Sequence, residues 1–230
     1  MNAVAASRAD DFGADLRQAL GVWSQQPLLP ITSVLWWTVP VTGYSNDALT
    51  IALGIVAFLA VGWPGTEREW YRRSFMGTGL APSEILPTTW HFFGPFLRLT
   101  LLGSPVVILW IALSVWFEGS PIVDIGVPLA LVFVIDVALT FVTPALTFTT
   151  PSARTALSIG LGMLRKHWPA AAPYALTPAL VVILGAQTLL QPVIGPAGTF
   201  LATALAGLLA LAIKGATVAF YLRHTPALPT

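Results

Sequence analysis

Few residues in this chain could do chemistry, and the most informative is Asp136. It stands inside the apolar run 125–149, followed by Thr140, Thr143 and Thr147 at helical steps of four, seven and eleven. On a helix these four side chains form one polar stripe. At the centre of a bilayer a carboxylate costs about 2.5–3.5 kcal/mol on insertion scales. Two readings stand. The stripe lines a water-filled cavity or an ion pathway, or Asp136 glues helices together while the threonines bond their own i−4 carbonyls. Lys214 lies in a second apolar run, at the end of the small-residue line Ala202, Ala206, Ala210. Small residues at steps of four let another helix approach closely, so Lys214 faces protein or snorkels to the interface. Arg98 sits near the start of a third run. With Lys214 it makes one half of the bundle basic, suited to a lipid phosphate or to Asp136. Asp136, Thr140, Thr143, Lys214 and Arg98 are therefore the candidate substrate or ion pathway.

Glu67, Arg68, Glu69, Arg72 and Arg73 form a charged run. Its ordinary meaning is a solvated face; its functional meaning is a docking surface for anionic lipid or a soluble partner. Asp11 and Asp15 make one DxxxD, the spacing that sets two carboxylates on one helix face for a metal-bound diphosphate. No second acidic pair faces it, and the solvated side of a surface helix explains it better. Ser158 lies in a helical stretch instead of a GxSxG elbow. No GxxxxGK[ST] loop occurs. The chain has no cysteine and three scattered histidines, which leaves no thiol nucleophile and no expected metal site. No catalytic residue and no cofactor is expected, and the chain does not read as an enzyme.

The elements holding these residues follow from composition. Of 230 residues, 56% are hydrophobic and 9% charged, with mean hydropathy +0.78. A soluble domain is about a quarter charged. The expected fold is all-α, a polytopic membrane helix bundle in one domain. Its net charge of +1 argues against a nucleic-acid partner. Asp10, Asp11 and Asp15 interrupt the first 25 residues, which do not read as a cleavable signal peptide. Nine arginines against two lysines, with abundant alanine and proline, suggest a GC-rich bacterial source.

A spanning helix needs roughly 20 apolar residues. Six runs qualify: 26–44, 47–64, 95–117, 125–149, 170–191 and 197–222. Arg8, Arg17, Arg68, Arg72, Arg73, Arg154, Arg165, Lys166 and Arg223 fall outside the spans on one side, while the connections around 45–46, 118–124 and 192–196 carry no Lys or Arg. The positive-inside rule then places both termini in the cytoplasm, in a bacterial inner membrane.

Each pair of spans is preceded by an amphipathic segment, a tryptophan and a proline. The first, 9–24, groups Phe12, Leu16, Leu20 and Trp23 on an apolar face, with Asp11, Asp15 and Gln18 on another. The second groups Ile85, Thr89, Trp90 and Phe93, with Ser83 as N-cap and Glu84 in the first turn. The third groups Ala153, Leu157, Leu161, Leu164 and Trp168, with Thr150 as N-cap and Pro151 at the first helical position. The expectation is three cytoplasmic interfacial helices, each followed by a hairpin of two spans.

The segments LRQALGVWSQQPLL, ILPTTWHFFGPFLRLTLLG and ALSIGLGMLRKHWPAAAPYAL give this layout. It resembles bacterial six-helix proteins of the glycerophosphodiester phosphodiesterase membrane-domain type, without the fused enzyme part. Its topology is similar to that of ABC export permeases: six spans, an elbow helix on the inner surface and a cytoplasmic segment after span two. The last outer connection, QPVIGPAG, is short for those permeases. The resemblance implies a membrane subunit of a transport system, with the permease half of an exporter as its specific form. The alternative is a non-catalytic scaffold or accessory subunit of a larger complex. Expected partners are the lipid bilayer and other protein subunits, either a separate ATPase or further copies of the chain.

Overall fold

The structure is a computed structural model and describes residues 12–38, 58, 60–116, 126–185 and 191–225. Within them the chain is all helical, with no strand. The elements are α1 (Phe12–Gln25), α2 (Leu28–Thr38), a 3-10 turn (Ala60–Gly62) leading into α3 (Trp63–Phe75), α4 (Pro82–Trp116), α5 (Val127–Phe148), α6 (Ala153–Lys166), α7 (Trp168–Gly185) and α8 (Gln191–His224). Asp11, the remainder of span one and residues 47–57 and 59 of span two lie outside the described residues, as do the connections expected around 45–46 and 118–124.

Helix ends follow local chemistry. Pro82 occupies the first turn of α4, and the Glu84 carboxylate reaches back to accept the Ala81 N–H at 3.0 Å. This is half of a capping box, and it starts the helix ahead of the expected cap Ser83. At α6 the cap is Ser152, whose hydroxyl accepts the Thr155 N–H. Thr150, the expected cap, instead accepts the Ser152 N–H and leaves Pro151 in the bend before the helix. In α8, Gly195 has φ 67° and breaks the helical path. The left-handed region suits glycine because it has no Cβ, so the long uninterrupted helix begins just beyond it.

Two expectations about the amphipathic segments change. The second segment and the third span are one continuous helix of 35 residues, with Pro87, Pro95 and Pro105 inside it. The first and third segments do end before their spans, at Gln25 and Lys166. In α1 the buried face is Asp15, Ala19 and Val22, while Leu20 is 42% exposed. The reason lies on α8. Gly215 has no side chain, and a Cβ there would lie 2.7 Å from Ala19 Cβ and 2.5 Å from the Tyr71 ring. This close approach sets the small Ala19 against α8, while Phe12, Leu16 and Trp23 of the expected apolar face pack, partly buried, against the core.

Most of the buried core gathers toward the basic ends of the helices. One cluster joins Phe92 and Phe96 of α4, Phe141 and Val142 of α5, Tyr174 of α7 and Phe220 and Tyr221 of α8. A second joins Val22 of α1, Leu29 of α2, Trp63, Trp70 and Tyr71 of α3, and Leu211 and Val218 of α8. Helix α8 contributes to both and packs against α1, α2, α3, α5 and α7. Helix α6 crosses α5 at Gly160, where a Cβ would meet Val142 N at 2.4 Å.

Candidate functional site

The charged run 67–73 does not form a solvated face. Helix α3 is inserted into the bundle, and Glu67, Arg68 and Glu69 are buried with Trp70 and Tyr71. Residues so placed cannot form an exposed docking surface, which corrects that expectation for Glu67, Arg68 and Glu69. Arg72 and Arg73 remain partly exposed, and both bond Glu69.

The buried Glu67 carboxylate accepts three side-chain hydrogen bonds. Lys214 Nζ donates to its Oε2 at 2.7 Å. Ser33 Oγ and Trp63 Nε1 donate to its Oε1 at 2.9 and 3.0 Å. Burying a charge is costly unless it is paired and hydrogen-bonded, and here α2, α3 and α8 supply the partners. Lys214 therefore does not snorkel to the interface; its ammonium is turned onto α3.

Next to this pair lies a cleft of about 250 Å³, lined among the described residues by Pro64 and Arg68 of α3, Asp136, Leu139, Thr140 and Thr143 of α5, Pro178 of α7, and Ala210, Lys214 and Thr217 of α8. The structure thus brings together Asp136, Thr140, Thr143 and Lys214, as expected of one site, and adds Arg68. The charges of Lys214 and Arg68 both reach Asp136. Arg68 donates one hydrogen bond, from Nη1 to the Pro64 carbonyl at 2.6 Å. Oδ2 of Asp136 is buried without a hydrogen-bond partner. The Thr140, Thr143 and Thr147 hydroxyls bond the carbonyls of Asp136, Leu139 and Thr143. Each still has lone pairs to offer.

Arg98 is the candidate that the structure leaves out. It is exposed on α4 and is not among the residues lining the cleft. The continuity of α4 through Pro95 sets its direction.

One turn beyond Thr143 on α5, Thr147 lines a second cleft of about 480 Å³, with Glu69, Arg72, Arg73, Glu84 and His91 around it. The stripe from Asp136 to Thr147 therefore runs between the two clefts. At the wider one, the Ala81 N–H and the Arg73 guanidinium hold the Glu84 carboxyl below its ordinary value. Hydrogen bonds to Glu69 and Glu84 raise Arg73.

A third polar cluster joins the first and last described helices. Arg223 of α8 grips Asp15 of α1 with two parallel bonds, at 2.5 and 2.6 Å. Tyr174 of α7 donates to the same carboxylate at 2.5 Å. Asp15 is 1% exposed, which overturns its expected place on a solvated face. Among the described residues no group of His, Asp and Glu could hold a metal ion.

Sequence reasoning missed Glu67 as the partner of Lys214, and Arg68 as a cleft residue. One signal was available: Trp63 stands four residues before Glu67, so an indole N–H and a carboxylate share a helix face. The Asp15–Arg223 pair spans 208 residues and has no local signature. No protein-family model matches the chain, and neither a curated protein nor a solved structure is significantly similar to it.

Proposed function

We propose that the chain is a multi-pass membrane subunit of a transport system, with six spans and both termini cytoplasmic, and that the cleft bounded by Arg68, Asp136 and Lys214 handles its cargo or coupling ion. The observation that carries this reading is the meeting of three ionisable side chains from α3, α5 and α8 at one apolar-walled cleft. Charges inside a bilayer are expensive and mark pathways or binding sites by default.

Three further observations support it. Ala197–His224, 28 residues containing an 18-residue stretch of mean hydropathy 1.8, is long and apolar enough to cross a membrane. Large apolar side chains stand exposed along α4, among them Ile108 and Leu109, and along α8, with Leu201 and Leu205. Soluble monomers rarely leave such stretches in water, and lipid is the solvent that suits them. The Asp15–Arg223 grip sets α1 beside the end of α8, which fits an even number of crossings. The exporter reading adds an ATPase as a separate chain, since no nucleotide-binding loop is present in the sequence.

A second reading, a scaffold subunit, is favoured by the threonine hydroxyls bonding within their own helix. Isolation of the tagged chain from native membranes in mild detergent separates the two. The transport reading predicts an ATPase in fixed stoichiometry, with ATP hydrolysis that falls when Asp136→Asn is introduced. A stable assembly lacking any energy-coupling subunit, and indifferent to Asp136→Asn, establishes the scaffold.

A further inference from the structure

We infer that the α3–α5–α8 cleft binds a zwitterionic group: an anionic oxygen cluster and a protonated amine a few ångströms apart, carried by a small amphipathic molecule. The inference rests on the placement of the cleft within the bilayer, and it names the class of ligand.

Two charges at the cleft have no salt-bridge partner among the described residues. Glu67 and Lys214 neutralise each other. Arg68 and Asp136 remain, opposite in sign, on the walls of one cleft, and neither is ion-paired to another described residue. Arg68 is 7% exposed and donates only to the Pro64 carbonyl, although a guanidinium has five N–H donors. Asp136 Oδ2 accepts nothing. An unpaired buried charge or acceptor is costly, and here two of opposite sign, within reach of each other's charge, line a cleft of about 250 Å³ with no hydrogen bond between them.

An anion alone would bond Arg68 and be repelled by Asp136. A cation alone would leave Arg68 unmet beside Lys214. A metal ion would find one carboxylate and two cations, a poor ligand set for a hard cation. A zwitterion answers both residues. Its anion takes the guanidinium fork in the bidentate manner arginine favours, and its N–H group meets the Asp136 carboxylate on the cleft wall. The space corresponds to about eight waters at ~30 Å³ each, enough for a phosphoethanolamine group. Pro64, Leu139, Pro178 and Ala210 supply apolar wall for the remainder of the molecule.

The same chemistry is offered by an ethanolamine phospholipid and by a free solute such as phosphoethanolamine. The test uses the purified full chain. Binding is measured by native mass spectrometry for phosphatidylethanolamine, phosphatidylglycerol and phosphatidylcholine, and by thermal shift for phosphoethanolamine, phosphocholine and glycerol phosphate. We expect at least tenfold preference for the ethanolamine compounds. The glycerol compounds lack the amine, and the choline compounds lack an N–H for the Asp136 carboxylate. Asp136→Asn and Arg68→Gln should each reduce the preference to under threefold. Preference within the lipid panel alone identifies a headgroup; preference within the soluble panel identifies a free solute. Equal binding across both panels by the unaltered chain overturns the inference, whether or not the variants fold. So does a preference that survives both substitutions. Selective binding without a coupled ATPase would keep this inference and sink the transport reading; coupling to an ATPase without selectivity would do the reverse.

Discussion

Lys214 and Glu67, 147 residues apart in sequence, meet at 2.7 Å in the bundle interior. The pair fixes α8 against α3 and leaves Arg68 and Asp136 facing the cleft. Breaking a buried pair from one side strands the other charge, which costs about 3–5 kcal/mol. The low end applies, because the Lys214 side chain keeps 22% of its surface exposed. Glu67→Ala should therefore lower stability by about 3 kcal/mol. The double variant Glu67→Gln with Lys214→Met should recover most of that loss. Thermal unfolding of the purified variants in detergent reads both, and a Glu67→Ala protein as stable as the parent would show that the pair is not buried in the membrane.

Glu84 makes the start of α4 sensitive to acid. Its folded pKa lies below the ordinary glutamate value. The stability it contributes is thus complete above the unfolded pKa, about 4.3, and is lost as pH falls through the folded value. Carboxyl titration by NMR should place Glu84 below a free glutamate, and Arg73→Gln should move it upward. Amide exchange in the first turn of α4 should quicken as the group protonates. A normal titration unmoved by Arg73→Gln would contradict the capping geometry.

Two glycines on α6 make a matched comparison. A Cβ on Gly160 would collide with the α5 backbone at Val142, whereas a Cβ on Gly162 would meet nothing within 4 Å. Gly162→Ala should stabilise slightly, since glycine in a helix costs up to about 1 kcal/mol relative to alanine. Gly160→Ala should destabilise by about 1–3 kcal/mol, because backbone cannot yield as a side chain can. Equal effects in a denaturation series would mean that α6 does not cross α5 at Gly160.

The native chain has no cysteine, so topology can be mapped with single cysteines. Positions Asn46, Ser120 and Gly195 should react with an impermeant reagent from outside. Positions Met76, Ser152 and Thr225 should react only from the cytoplasmic side. Met76 is preferable to its neighbour Ser74, because Met76 is 60% exposed while the Ser74 hydroxyl is buried. Outside labelling at Ser152 would overturn the six-span arrangement.

The sequence made the helices legible because its signals are local: apolar run length, proline at first turns, and basic residues clustered between runs. Asp136, Thr140, Thr143 and Lys214 were recognisable because a polar side chain in an apolar run stands out one residue at a time. Which cation meets which carboxylate was not legible. The Glu67–Arg73 run looks solvated because charges outnumber apolar residues there. Yet Trp63, Trp70 and Tyr71 draw α3 inward and carry Glu67 and Arg68 with them. Arg98 was grouped with Lys214 because both make the same half of the bundle basic, but on the uninterrupted α4 it stands exposed. On α1, Phe12, Leu16 and Trp23 do pack against the core, but the burial of Asp15 beside them and the exposure of Leu20 depend on Arg223 and Gly215 of a distant helix and had no local signal.

The claim on which the account depends is that the cleft beside Asp136 is wet and reached from one side. A cysteine at Leu139, half-buried on the cleft wall one turn from Asp136, measures this. A thiol reacts as its thiolate, which lipid suppresses and water permits. Leu139→Cys should react with a small impermeant thiosulfonate applied from the cytoplasmic side and resist it from outside. Leu205→Cys, on the exposed apolar side of α8, should resist from both. A Leu139 cysteine as unreactive as the Leu205 control from either side would mean a dry cleft, with Asp136 as helix glue and no pathway.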